Sequence, residues 1–305
     1  MSDPVSVGFV GLGQMGQPMA ARLTNRPGGL IVHDARPGAM EPLTAAGATG
    51  AADIAELTRA ADLVCVMVRD DAQVRDVVRA AAAGAPAIVA IHSTIGPDLA
   101  PELAAEFGPA GLEIVDAPVS GGFMGAQAGR LAVMFGGSRA AYERCQEPFG
   151  HFADLIMYMG PVGAGTRAKL ARNLLHFVAF TAAAEAQRLA EAAGLDLRKL
   201  ARVVRHSDAV TGGAGSIMLR PTTAPLTASD PLGPILEHVR ALGEKDLALA
   251  LQLGADLGVD LPMARFASEH FGTGLGLPAG PGLPAGNGGP GAGDAGSGDA
   301  GEDSA

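Results

Sequence analysis

Two cysteines in 305 residues are too few for a disulfide framework. Cys65 and Cys145 also lack the paired spacing of a metal site, and the seven histidines include no HxxxH, so no resident metal is expected. Cys65 falls inside the apolar run Leu63–Val68 and reads as a buried thiol. No apolar run reaches the roughly 18–20 residues that a bilayer-spanning helix needs. Met1–Val5 carries no basic segment, so a signal peptide is not expected. A reducing, cytoplasmic setting follows as the expectation. Arginines are scattered rather than clustered, and the formal charge of −10 argues against nucleic acid as a partner. A GxSxG nucleophile elbow is missing as well.

What is present is an alternation of two periodicities. Ser6–Val10, Leu30–His33, Leu63–Met67, Ala87–Ile91 and Glu113–Val115 have the apolar, β-branched character of strands. Gln14–Thr24, Pro37–Ala46, Asp71–Ala82 and Pro97–Phe107 alternate with them as helices. Such alternation predicts an α/β fold, a doubly wound parallel sheet covered by helices on both faces. Leu131–Phe135 and Leu155–Met159 would extend the sheet, with Ala140–Pro148 as a helix between them. From Gly165 to Ala193 the pattern becomes one long proline-free helix stopped by Gly194. Helical patterns return at Leu197–Arg205 and Pro234–Leu257, so an all-α domain entered through a long helix is expected. The division is residues 1–162, residues 163–272 and a tail, residues 273–305. The tail is rich in Gly, Pro, Ala and Asp, holds no Lys or Arg, and reads as disordered.

Gly11-Leu12-Gly13-Gln14-Met15-Gly16 lies between the first strand and the first helix. In a dinucleotide site the first glycine permits the tight turn, and the second lets the backbone approach the pyrophosphate. The third lets the helix pack on the strand, and the helix N-terminus offers N–H groups to the phosphates. The string alone is weak; its place between strand and helix, with Asp34 closing the next strand, makes it strong. A carboxylate at Asp34 suits the ribose hydroxyls of NAD and would repel a 2′-phosphate. Arg36 beside it could accommodate that phosphate, so NADP is not excluded.

The opening VGFVGLGQMGQPMAARL resembles that of the β-hydroxyacid dehydrogenases, the family of 3-hydroxyisobutyrate dehydrogenase and tartronate semialdehyde reductase. Three later motifs agree in order and spacing: DAPVSGGFMGAQAGRL from Asp116, GAGTRAKLARNLL from Gly163, and EKDLALAL from Glu244. The resemblance spans residues 5–265 and implies a Rossmann-type domain joined to an all-α domain. It departs after Phe271, where the chain runs into Gly-Thr-Gly-Leu-Gly-Leu instead of the family's usual closing segment.

Lys169 and Asn173 stand at i and i+4 on one face of the long helix, a face continued by His176, Phe177 and Phe180. A lysine on such a face is paired or desolvated, and desolvation favours the neutral amine that proton transfer near neutral pH requires. The resemblance makes Lys169 the catalytic acid/base, with Asn173 holding the substrate or the amine. His176 could touch the substrate or serve only in packing. Ser120-Gly121-Gly122 presents bare backbone N–H groups beside a hydroxyl, which suits a carboxylate, and the resemblance assigns it the substrate's. It also implies cofactor contacts at Thr94 and Val68, where Arg69 departs from the family's usual residue. Lys245 matches a lysine that closes over the cofactor and substrate; a surface ion pair with Asp246 is its other reading.

The expected activity is hydride transfer between NAD, or NADP, and a small β-hydroxy acid. Phe123, Met124, Phe177 and Met218 could line the site, and no second basic residue faces it, which favours a 3-hydroxyisobutyrate-like substrate. Reduction of tartronate or succinate semialdehyde or of glyoxylate, and a catalytically silent NAD-binding protein, are the alternatives. Lys169 argues against an imine reductase, since imine-reducing relatives usually lack a lysine there. A homodimer or homotetramer built through the helical domain is expected.

Overall fold

A computed structural model of the chain describes residues 4–84 and 87–278. It falls into two compact units, Met1–His176 and Phe177–Ala305. The first contains, in order, β1 (Val7–Val10), α1 (Gly16–Ala21), β2 (Leu30–His33), α2 (Glu41–Ala45), β3 (Thr49–Gly50) and α3 (Ile54–Ala60). There follow β4 (Leu63–Val66), α4 (Asp71–Ala82), β5 (Ile88–Ile91), α5 (Leu99–Phe107), β6 (Glu113–Asp116) and β7 (Val119–Ser120). The unit continues with α6 (Gly122–Ala128), β8 (Leu131–Gly136), α7 (Arg139–Gly150) and β9 (Ala153–Gly160).

The strands form one sheet in the order β3-β2-β1-β4-β5-β6-β8-β7, with β9 on the other side of β8. From β3 to β6 every pairing is parallel. β1, β4 and β5 are buried at all four positions, as a parallel sheet covered on both faces requires. Neighbours along each strand feed opposite cores. Phe9 and Cys65 join Met19, Leu23 and Phe149 on one side; Val10, Val64 and Val66 join Leu57, Val78 and Leu103 on the other.

The sheet departs from the all-parallel expectation at one edge. β8 runs antiparallel to β6 and β7 and carries β9 parallel beside it. β7 and α6 are absent from the periodicity reading because two residues carry no period and Gly122–Ala128 holds two glycines. The expected single helix at 37–46 is a 3-10 turn, Pro37–Ala39, followed by α2, with Pro42 in its first turn. α1 stops at Ala21 rather than Thr24, and α3 and β3 are additional.

α8 (Ala164–Ala192) is a 29-residue helix that begins in the first unit and ends in the second, about 43 Å long at 1.5 Å per residue. The second unit adds α9 (Leu197–Thr211), α10 (Gly233–Asp256) and α11 (Pro262–Gly274). Glu185 on α8 is 4% exposed, and its carboxylate accepts the Met263 and Ala264 N–H groups at 3.1 and 2.9 Å, capping α11. Leu236, Leu275 and Leu277 form a small cluster in this unit. The expected tail is therefore corrected at its start: α11 includes Thr273 and Gly274, and two leucines beyond it pack. Residues 279–305 of that tail lie outside the described residues.

Candidate cofactor and substrate site

The C-terminal ends of the parallel strands carry the expected cofactor residues, on both sides of the point where strand order reverses between β1 and β4. Gly11 follows β1 at φ +92°, and its N–H donates to the His33 carbonyl at 3.0 Å. A Cβ there would lie 2.3 Å from the Met67 carbonyl oxygen, and one on Gly16 would lie 1.9 Å from that of Gly11. Gly13 differs: nothing lies within 4 Å of where its Cβ would be, so this is the open place for a ligand's close approach. Gln17 N–H bonds the Gly13 carbonyl at 3.0 Å, so the helical turn starts at Gly13, and the N–H groups of its first residues have no upstream carbonyl. Leu12 is buried under the turn, while Gln14 is exposed and Met15 half-buried. Two glycines close-packed and one left open fit a dinucleotide pyrophosphate.

Asp34 closes β2 and ties the turn together. One carboxylate oxygen accepts the Leu12 N–H at 2.7 Å; the other accepts the Arg36 N–H at 2.9 Å and its guanidinium at 3.3 Å. Burial works to raise its pKa, but the Arg36 and Leu12 N–H groups and the Arg36 charge outweigh it and hold Asp34 below the usual carboxylate range. The Arg36 side chain is 72% exposed while paired to it.

Val68 follows β4 and Thr94 follows β5; Val68 is half-buried and Thr94 exposed. Ser93 joins the two loops, accepting the Val68 N–H at 2.9 Å and donating to the Val68 carbonyl at 2.7 Å. Sequence reading gave Ser93 no role. Arg69 points away into solvent, 82% exposed and paired with Asp70.

Lys169 is one of only three lysines in the chain and is 8% exposed. Its Nζ donates to the Val119 carbonyl at 2.7 Å, directly before Ser120-Gly121-Gly122. Gly121 and Gly122 take φ of +129° and +62°, values that side chains disfavour, and the turn opens α6. Burial, and then the Arg172 guanidinium, push the Lys169 pKa down to about 8. Further along the same helix face, Phe177 and Phe180 are 59% and 58% exposed. Asn173 is half-buried and accepts from Arg172 at 3.3 Å.

Two buried side chains next to this strip escaped the sequence reading. Asp116, 0% exposed at the end of β6, accepts the Gly163 N–H at 2.6 Å and the Thr166 N–H at 2.5 Å. His92, enclosed by Phe9, Phe149 and Phe152, meets the Ala117 carbonyl through Nδ1 at 2.7 Å, and burial pushes its pKa down to about 4. Asp116 opens the quoted DAPVSGG motif, and that was the available signal.

In the second unit, Lys245 is 61% exposed and pairs with Asp246 at 2.9 Å. Cys65 and Cys145 are free and buried, and burial pushes the Cys145 thiol up to about 12. Among the described residues no group of three His, Cys, Asp or Glu could hold a metal, and no helix is long and apolar enough to cross a membrane.

Sheet order, glycine turn and buried lysine define a Rossmann-type, NAD-binding oxidoreductase, with NADP possible as the cofactor. Residues 6–160 match the NAD-binding domain of 6-phosphogluconate dehydrogenase, and residues 163–276 match the NAD-binding domain of NADP-dependent 3-hydroxyisobutyrate dehydrogenase. The chain is 54% identical over 277 residues to an uncharacterized oxidoreductase of Mycobacterium tuberculosis, covering 89% of this chain and 94% of that protein. It is 37% identical to the NAD-dependent L-serine dehydrogenase of Pseudomonas aeruginosa, covering 87% and 90%. A solved Mycobacterium tuberculosis 3-hydroxyisobutyrate dehydrogenase with L-serine superposes with a TM-score of 0.62 at 32% identity, covering 88% and 92%. The chain belongs to the β-hydroxyacid dehydrogenase family.

Proposed function

We propose that this protein oxidises a small β-hydroxy acid, of the 3-hydroxyisobutyrate or L-serine kind, with Lys169 as the proton-transfer group. The observation that carries the reading is the buried Lys169 amine, held at 2.7 Å on the carbonyl that precedes Ser120-Gly121-Gly122. Residues 1–162 are the cofactor domain and residues 163–272 the substrate domain. Gly11 to Gly16 and Asp34 hold the dinucleotide, Val68 and Thr94 border its nicotinamide half, and Lys245 takes the cofactor-contact role that its EKDLALAL motif implies. A bound nicotinamide supplies the hydride acceptor in oxidation and the hydride donor in reduction. Ser120, Gly121 and Gly122 bind the substrate carboxylate, and Asn173 orients the hydroxyl. Lys169, as the neutral amine, takes the hydroxyl proton while the carbon gives up its hydrogen as hydride. In reduction the ammonium polarises the carbonyl and returns the proton.

The L-serine dehydrogenase and the 3-hydroxyisobutyrate dehydrogenase named above act on or bind compounds that share a hydroxyl β to a carboxylate. A panel of 3-hydroxyisobutyrate, L-serine, glycerate and 4-hydroxybutyrate, each with NAD and NADP, tests the reading. Turnover of 3-hydroxyisobutyrate or L-serine is the expected result. Turnover only of glycerate or 4-hydroxybutyrate, or of nothing, would overturn it.

The protein acts as a homo-oligomer built through its helical domain. Val203, Met218, Leu249 and Phe266 are 59–75% exposed there, and few apolar side chains of that unit are buried. An apolar surface of that extent calls for a cover, and a second copy is the commonest one. Sedimentation of the purified protein checks this; a monomer at micromolar concentration would refute it.

A further inference from the structure

We propose that the buried carboxylate of Asp116 is the positioning residue for Lys169, tying the first turn of α8 to the strip Asp116–Ser120 so that the amine comes to rest on Val119. The inference rests on Lys169 as the proton-transfer group. Asp116 accepts N–H groups from Gly163 and Thr166 at 2.6 and 2.5 Å, just before and within the first turn of α8. Lys169 lies three residues after Thr166, one turn further along. Its own hydrogen bond returns to Val119, three residues after Asp116. The helix and the strip are thus joined at two rungs, one carboxylate and one amine. Space around the first rung is closed: a Cβ on Gly136 would lie 2.4 Å from the Asp116 carboxylate, and one on Gly165 would lie 2.2 Å from the Met134 carbonyl. The carboxylate also sits at the positive end of a 29-residue helix, where its charge is favoured. Slippage of that turn would lift Lys169 off Val119 and admit water to the amine.

Glu185 supplies a matched comparison, since it too is a buried carboxylate capping a helix with two N–H bonds, remote in sequence from the strip. The chain has only three lysines, so 13C-lysine labelling resolves the Lys169 resonance, assigned with Lys169→Met. The experiment titrates Lys169 in wild type, Asp116→Asn and Glu185→Gln, and records Tm, NAD affinity and the pH dependence of kcat. In Asp116→Asn, the titration should move up from about 8 toward 10.5 and kcat should fall on the order of 10–100-fold, with NAD affinity unchanged. Glu185→Gln should lower Tm and leave the Lys169 titration in place. An unmoved titration in Asp116→Asn, or an equal movement in Glu185→Gln, overturns the proposal. Should Asp116→Asn not fold, Thr166→Pro removes one rung from the donor side, within the first turn where proline is tolerated, and must give the same shift. If Lys169→Arg keeps wild-type turnover, the proton-transfer reading fails on its own, because the titration still reports whether Asp116 sets the amine.

Discussion

Lys169 and Val119 stand 50 positions apart in the chain and are joined by a hydrogen bond of 2.7 Å from ammonium to carbonyl. The bond sets a helix side chain beside the turn Ser120-Gly121-Gly122, and it keeps the amine out of water. Desolvation there brings the amine's pKa to about 8, within reach of proton transfer near neutral pH.

Lys169→Ala should lower kcat on the order of 10²–10⁴-fold, with NAD affinity near wild type. Lys169→Arg should restore little, because a guanidinium keeps the charge but does not release a proton near neutral pH. Steady-state kinetics and a fluorescence titration with NAD check both. A variant with more than a tenth of wild-type turnover would move attention to Lys245.

The oxidation rate should rise with pH through about 8 as the Lys169 amine loses its proton. Stability should carry the same signature. The folded pKa is depressed from 10.5, so between about 8 and 10.5 the unfolded chain binds the extra proton and stability rises with pH. Lys169→Met should flatten that part of the difference curve, read as Tm against pH.

His92 predicts the acid side. Its folded pKa of about 4 lies below the ordinary 6.5, so the unfolded chain takes up a proton first as pH falls through that window, and stability declines. His92→Asn keeps a side-chain donor for Ala117 and should flatten the decline between pH 6.5 and 4, although its smaller side chain lowers Tm at neutral pH. An unchanged acid slope would show that another group governs it.

NAD should be preferred over NADP, and Asp34→Ala should erode the preference while weakening binding of both, because Asp34 also holds Leu12. Arg36→Ala should reduce use of NADP more than of NAD. Paired kcat/KM measurements decide; a tenfold native preference for NADP would reverse the assignment.

Ending the chain after Pro278 should leave Tm nearly unchanged, whereas ending it after Gly274 removes Leu275 and Leu277, each 7% exposed. At roughly 1.5–3 kcal/mol per buried leucine, the shorter form should lose on the order of 3 kcal/mol. Equal melting curves would mean that the cluster around Leu236 contributes nothing.

Local chemistry was enough for the cofactor half of the molecule. Gly11 to Gly16, the apolar strands and Asp34 express requirements that neighbouring residues impose on one another: a turn, a pleat, a helix start. The strand and helix periodicities there match the observed elements closely, with α4 and β2 falling on the expected residues. The antiparallel edge was not legible, because direction depends on how the chain turns back after β6 and not on any property of Leu131–Gly136 itself. β7 is held by its pairing with β8, Val119 opposite Val133, rather than by its own period.

The sequence by itself determined the fold class, the glycine turn and which lysine belongs to a motif, since each follows from residue type and spacing along a few turns. Tertiary structure alone decided what Lys169 touches, that Asp116 clamps the helix start, that Ser93 joins Val68 to the loop bearing Thr94, and that Leu275 and Leu277 belong to the packed chain. The physical reason is distance along the chain. A carbonyl 50 positions away or a carboxylate 47 positions away leaves no periodic trace in the segment it holds, and only folding brings them within hydrogen-bond reach.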